Sequence, residues 1–307
     1  MSKRQRDTRE HARRAAELRR RVQARRTRMR RAVAANVAVV VVFAGLVVGW
    51  LAGVGEDTPA PAPAADDTTT ATVVAAVTGV PVAVLDAVGA SGVQKVPDAI
   101  AGQPALTESG KPLVVYIGAE YCPFCAAQRW PMVVALSRFG TFSGLRVSAS
   151  AADDVYPNTP TLSFHGSTYT SRYLAFQGVE TNTNVRVGRQ YGPLDPLTAQ
   201  QQQIMAKYNA PPYVDANSAG AIPFVDFGNR ALTAGSSFSP QLLAGMSAAD
   251  VAAALSDKDS AVGRAVTANA NAITALLCRL TGGQPGEVCA GPAVTAFNGR
   301  FDDVTAA

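Results

Sequence analysis

At 307 residues with 48% apolar side chains, the chain has material for one large domain or two small ones and for a sizeable core, which excludes disorder throughout. The formal charge of +5 is unevenly held: fourteen of the 28 basic residues lie in 1–31, opposed there only by Asp7, Glu10 and Glu17, so the remainder carries about −6. The basic isoelectric point therefore belongs to the tail, and the main body offers a nucleic acid no net positive charge.

Within residues 1–31, runs such as Arg19-Arg20-Arg21 and Arg25-Arg26 have the charge to neutralise phosphates. The preferred reading is a topology signal drawn to anionic lipid, with no nucleic-acid partner expected. Residues 32–54 follow without an ionisable side chain, through Val39–Val42, Phe43, Leu46, Val47, Val48, Trp50 and Leu51. A run of about 20 apolar residues crosses the hydrocarbon core as a helix. It exceeds the apolar core of a cleaved signal peptide, about 7–15 residues, so an uncleaved single-pass anchor is expected. The Arg-dense flank sets the N-terminus in the cytoplasm and the rest outside, with Trp50 at the outer interface. Residues 55–72, with Pro59-Ala60-Pro61-Ala62-Pro63 and Thr68-Thr69-Thr70, read as a Pro/Ala/Thr spacer.

Residues 73–307 read as one mixed α/β unit. Val73–Thr78 and Pro81–Val88 are helical pieces broken at Gly79. Leu113–Gly118 is a near-continuous apolar run, the pattern of a central strand covered on both faces. Ala126–Phe139 is expected to be helical, with Pro131 as a kink or offset. Strands are expected at Leu145–Ser150, Thr161–His165, Tyr173–Val179 and Phe224–Phe227. Helix signals then dominate: Thr198 with Gln201 and Ser247 with Asp250 are capping boxes, Ser239-Pro240 and Ser260 are helix starts, and Ala261–Leu280 is amphipathic up to a stop at Gly282.

Between the Leu113–Gly118 run and the following helix sits Cys122-Pro123-Phe124-Cys125. A helix N-terminus presents unpaired N–H groups and partial positive charge, which stabilise a thiolate and make the first cysteine nucleophilic. The second, one turn on, is placed to resolve a mixed disulfide. The same spacing also serves zinc knuckles and static bridges. There is no phosphate-binding glycine loop, no G-x-S-x-G elbow and no histidine metal motif, and no cofactor is expected. A four-cysteine zinc site would need Cys278 and Cys289 to converge on the first pair, with only His11 and His165 as further nitrogen donors, and no metal is assigned. Asp153-Asp154 is read as a solvated loop. Arg129-Trp130 is read either as part of a partner groove or as packing plus a surface charge.

Val114 to Cys125 resembles the active-site strand and turn of the thioredoxin superfamily. Residues 73–307 more closely resemble the thioredoxin-like family catalogued as domain of unknown function 929. That resemblance rests on Cys122-Pro-x-Cys125, Arg129-Trp130, Leu136-Ser137-Arg138-Phe139-Gly140, Ile222 to Gly228, and Cys278…Gly282-Gly283…Cys289. It implies a thioredoxin-like sheet with a helical insertion and C-terminal helices. It also implies a cis-proline at the start of a later strand, facing the thiols. Pro223 is preferred over Pro160 because the helical segment around Thr198–Lys207 fits the insertion. Tyr116 stands where many thioredoxins keep a buried acid, leaving Glu120 as the proton-transfer candidate.

Four cysteines allow three connectivities, and an oxidising compartment favours pairing. The simplest is 122–125 with 278–289, the latter a structural bridge or a second redox pair. Two functions stand on this sequence. One is a membrane-anchored thiol–disulfide oxidoreductase in which Cys122 attacks exported proteins, Cys125 resolves, and an integral-membrane redox partner resets the pair. The other is a non-catalytic binding or assembly module on a thioredoxin scaffold whose C-x-x-C is static.

Overall fold

The structure, a computed structural model, describes residues 66–93 and 95–304. The basic tail, the expected transmembrane segment 32–54 and most of the expected spacer lie outside them. Among the described residues no single helix is long and apolar enough to cross a bilayer.

The described chain opens with helices α1 (Asp67–Thr78) and α2 (Val82–Val88). Helix α1 starts inside the stretch expected to be spacer, because Asp66 caps it by accepting the Thr69 N–H at 2.6 Å. Short strands β1 (Asp98–Ala99) and β2 (Thr107–Glu108) precede β3 (Lys111–Gly118), which carries the expected apolar run. Helix α3 (Pro123–Ser137) follows and begins at the second residue of the Cys-Pro-Phe-Cys motif, three residues before the expected start. Pro131 lies within α3 without ending it.

Beyond α3 come β4 (Gly140–Ser143), β5 (Arg146–Ala149), β6 (Pro160–Ser163), β7 (Thr168–Ser171) and β8 (Ala175–Glu180). An unanticipated hairpin, β9 (Asn182–Val187) with β10 (Gln190–Pro193), leads to α4 (Ala199–Tyr208). Then β11 (Phe224–Phe227) and β12 (Ala231–Ala234) form a second hairpin. Helices α5 (Ala248–Ala254), α6 (Ala261–Leu280), α7 (Gly286–Cys289) and α8 (Pro292–Thr295) close the described chain. Both expected capping boxes form, at Thr198/Gln201 and Ser247/Asp250. Ser239-Pro240 starts a 3-10 turn instead of an α-helix.

In the main sheet, β3 is central. Its neighbour β8 is parallel, in register from Leu113↔Ala175 to Gly118↔Glu180, whereas β11 is antiparallel, from Phe224↔Ile117 to Phe227↔Val114. Strand β12 lies beyond β11, and β1 beyond β12. Side-chain alternation divides the core between two faces. Val114, Tyr116, Val225 and Phe227 join the apolar cluster that includes Trp130 of α3 and Leu276 of α6. Leu113, Val115, Ile117 and Phe224 join the cluster that includes Ile204 and Tyr208 of α4. Helices thus cover both faces, which is why β3 has no polar side. Gly118 ends β3 where a Cβ would press on the buried Tyr116 ring and displace it.

Candidate dithiol site

The motif sits where β3 hands over to α3. Cys122 is the helix N-cap, with an extended backbone, and its sulfur accepts the Cys125 N–H at 3.3 Å. Pro123 occupies the first helical turn, where the missing N–H costs nothing. Cys122 is 5% exposed, whereas Cys125 is fully buried, and both are free thiols.

Their acidities diverge. The hydrogen bond from the Cys125 thiol holds the Cys122 pKa below its ordinary value, helped by the Cys125 N–H and the Arg129 charge against the effect of burial. Burial pushes the Cys125 thiol well above its ordinary value, and its hydrogen bond to Cys122 adds to this. The two thiols thus differ in acidity, with Cys122 the more acidic.

Opposite the thiols, the Ile222–Pro223 peptide is cis, and the Cys122 thiol points at the Ile222 carbonyl oxygen, 3.8 Å away. The alternative proline, Pro160, starts β6, its preceding peptide is not cis, and its carbonyl accepts the Trp130 indole N–H at 2.9 Å.

Arg129, one turn after Cys125, is neither a surface charge nor a groove residue. Its Nε and Nη2 donate to the two Glu180 carboxylate oxygens at 2.7 and 2.6 Å, and Nη2 also reaches the Ala119 carbonyl at 2.7 Å. Both side chains are fully buried. Glu180 ends β8 directly beside Gly118, and its charge is among those acting on Cys125. Glu120, by contrast, accepts a hydrogen bond from the Ser163 hydroxyl at 2.6 Å and is half-buried. The fully buried carboxylate beside the dithiol is therefore Glu180. Its signal in the sequence was faint: an acid closing the apolar strand pattern Tyr173–Val179, with an arginine one turn past the motif to neutralise it.

The remaining candidates lie elsewhere. Cys278 and Cys289 form a disulfide with a Cα–Cα distance of 5.5 Å, joining the end of α6 to α7. His165 pairs with Asp195 through Nδ1 at 2.7 Å. Asp153 accepts hydrogen bonds from Tyr191 and Arg186, and Asp154 caps the Val155 N–H.

The site and fold thus define a mixed α/β protein with two unequal thiols at a strand-to-helix junction. A family model described as a domain of unknown function (DUF929) matches residues 100–279, more than half the chain, and the chain belongs to that family. No curated protein and no solved structure matches it.

Proposed function

We propose that this protein is a membrane-anchored, extracytoplasmic thiol–disulfide oxidoreductase of thioredoxin-like architecture, acting on cysteine-containing exported proteins. The observation that carries this reading is the inequality of the two thiols: a recessed Cys122 biased toward the thiolate and a buried Cys125 biased toward the thiol. A static bridge has no use for that difference. The architecture is supported by the order of parts: strand, dithiol and helix, a parallel strand, then a cis-proline leading an antiparallel hairpin. The anchor and its orientation rest on the apolar run 32–54 and its basic flank.

In the exchange, the Cys122 thiolate attacks one sulfur of a client disulfide, and the client S–S bond breaks. The departing client thiolate takes a proton, leaving a mixed disulfide on Cys122. Cys125 then loses its proton and attacks Cys122, forming the intramolecular disulfide and releasing the second client thiol. Two electrons pass from the dithiol to the client, and the reverse sequence oxidises a client dithiol. An integral-membrane redox partner would reset the pair.

The test is trapping. With Cys125→Ser, Cys122 should accumulate mixed disulfides with exported proteins, released by reductant and absent when Cys122 is also replaced. An empty trap, together with Cys122 alkylation that follows an ordinary thiol pKa, overturns the reading.

A further inference from the structure

Two fully buried donors beside the dithiol lack an acceptor among the described residues: the Tyr116 hydroxyl and Nη1 of Arg129. The rest of the Arg129 fork is engaged, through Nε and Nη2, by Glu180 and the Ala119 carbonyl. The guanidinium lies 6.0 Å from the centre of the Tyr116 ring, so the two orphans belong to one buried polar cluster. Both groups interact electrostatically with Cys125. An unpaired buried donor costs about 1–3 kcal/mol, which negative charge on the neighbouring inner sulfur would recover. A resting pair with Cys122 as thiolate and Cys125 as thiol keeps its charge on the outer sulfur instead.

The donors around the sulfurs narrow what could place charge there. Cys122 and Cys125 stand one turn apart, with the Cys125 N–H on the Cys122 sulfur at 3.3 Å and the Cys125 thiol hydrogen-bonded to it as well. No third ligand joins them: among the described residues, no three of His, Cys, Asp and Glu gather at one point. Glu180 has both oxygens on Arg129, and Glu120 accepts from Ser163. Structural zinc takes four donors, and calcium and magnesium take oxygen, so two sulfurs alone suit none of them. Cu(I) differs, because this soft, singly charged ion selects thiolates and is satisfied by two.

We propose that the reduced pair is a two-coordinate Cu(I) site, in which Cys122 and Cys125 both bind as thiolates and the Tyr116 hydroxyl and Arg129 Nη1 stabilise the inner one. On binding, Cu(I) takes the place of the Cys125 proton. Two Cu–S bonds form, the S–H bond breaks, the proton leaves to solvent and no electron moves. The net charge of the pair stays at one negative, so metal binding buries no additional charge. What changes is its distribution: part of it moves to the inner sulfur, beside the two orphan donors. With Cys122 recessed and Cys125 fully buried, the ion is shielded from water. Disulfide formation and metal binding use the same two sulfurs and therefore exclude each other. The inference requires only that both sulfurs be reduced, and so goes beyond the exchange reaction proposed above.

The test is an anaerobic titration of the reduced full-length protein in detergent with Cu(I) held by bathocuproine disulfonate, a coloured competitor. The protein should withdraw Cu(I) to a one-to-one stoichiometry and release a proton as it does so. Binding should be lost in the disulfide form and in Cys122→Ser and Cys125→Ser alike. X-ray absorption at the copper edge should show two sulfur neighbours and no nitrogen or oxygen. Tyr116→Phe removes only the orphan hydroxyl, and should weaken Cu(I) binding about tenfold with no fall in the melting transition. Copper retained by either serine variant, a third ligand at the edge, or zinc held as tightly overturns the site. An affinity unchanged in Tyr116→Phe overturns the role of the orphan donors. Trapping of exported proteins by Cys125→Ser tests the exchange reading separately, so either reading can fail while the other stands.

Discussion

Arg129 of α3 grips Glu180 at the end of β8 through two parallel hydrogen bonds, at 2.7 and 2.6 Å, with neither side chain exposed. Such a pair is buried against a large desolvation cost, so removing one partner leaves the other charge uncompensated. The pair also welds the dithiol helix to the strand that parallels β3. Glu180→Gln and Arg129→Met should each lower unfolding free energy by about 3–5 kcal/mol in urea titrations. The double variant should lose far less than the two single losses combined, and additive losses would show that the two groups act independently.

Alkylation of the reduced protein across pH should report a Cys122 midpoint below that of an unperturbed thiol, with Cys125 unreactive until well above it. Because the Cys125 thiol is the largest cause of the Cys122 depression, Cys125→Ala should raise the Cys122 midpoint. An unmoved midpoint would transfer the effect to the helix N-terminus and Arg129.

Asp226, on β11, is fully buried; its Oδ1 accepts the Asn229 N–H at 2.7 Å, but Oδ2 has no donor among the described residues. Burial pushes its pKa up to about 7, from 3.8. The native state therefore holds a proton that the unfolded chain has lost, so stability falls as pH rises between these values and the full penalty persists above the upper one. At 1.36 kcal/mol per unit, that penalty is up to about 4 kcal/mol. Asp226→Asn should be more stable than the parent at pH 8 and gain nothing from this effect below pH 4. Parallel stability curves for the two proteins across that range would contradict this account.

The Cys278–Cys289 bridge closes a sequence separation of 11 residues. The chain-entropy model gives about 3 kcal/mol for a loop of that size. Cys278→Ser with Cys289→Ser should lower stability by that order while leaving the alkylation profile of Cys122 unchanged. A changed profile, or joint reduction of both cysteine pairs at one potential, would favour the electron relay.

Much of the frame was legible because its signals are local. The β3 run is apolar on successive residues, the caps at Thr198, Ser247 and Ser260 are single side chains acting within one turn, and Ala261–Leu280 carries its own periodicity. Cys122 and Cys125 could be singled out for the same reason, since their chemistry follows from the strand and helix beside them, whereas Pro223 was singled out by the resemblance and by the helical segment around Thr198–Lys207. Glu180 could not, because its meaning depends on a partner 51 positions earlier in sequence. The β9–β10 hairpin was missed because Asn182–Val187 opens with three consecutive polar residues and none of its positions is buried, so no face stamps an apolar pattern on it. Glu120 was nominated by proximity in sequence alone, and the geometry gives its carboxylate to Ser163.

Strands β3 and β8 finish at one end of the sheet, and β11, running against them, starts there. Cys122, Glu180 and Pro223 consequently share one edge although the chain visits them far apart. Between Glu180 and Pro223 the chain adds the β9–β10 hairpin and α4, whose Ile204 and Tyr208 cover one face of β3 and β11. Changes on the exposed side of the hairpin, at Val185 and Val187, leave the spacing of sulfur, carboxylate and proline intact, whereas changes to the buried side of α4 reach the sheet that sets it. The geometry of the two thiols is therefore fixed by the sheet and α3, and the exposed side of the hairpin is free to vary around it.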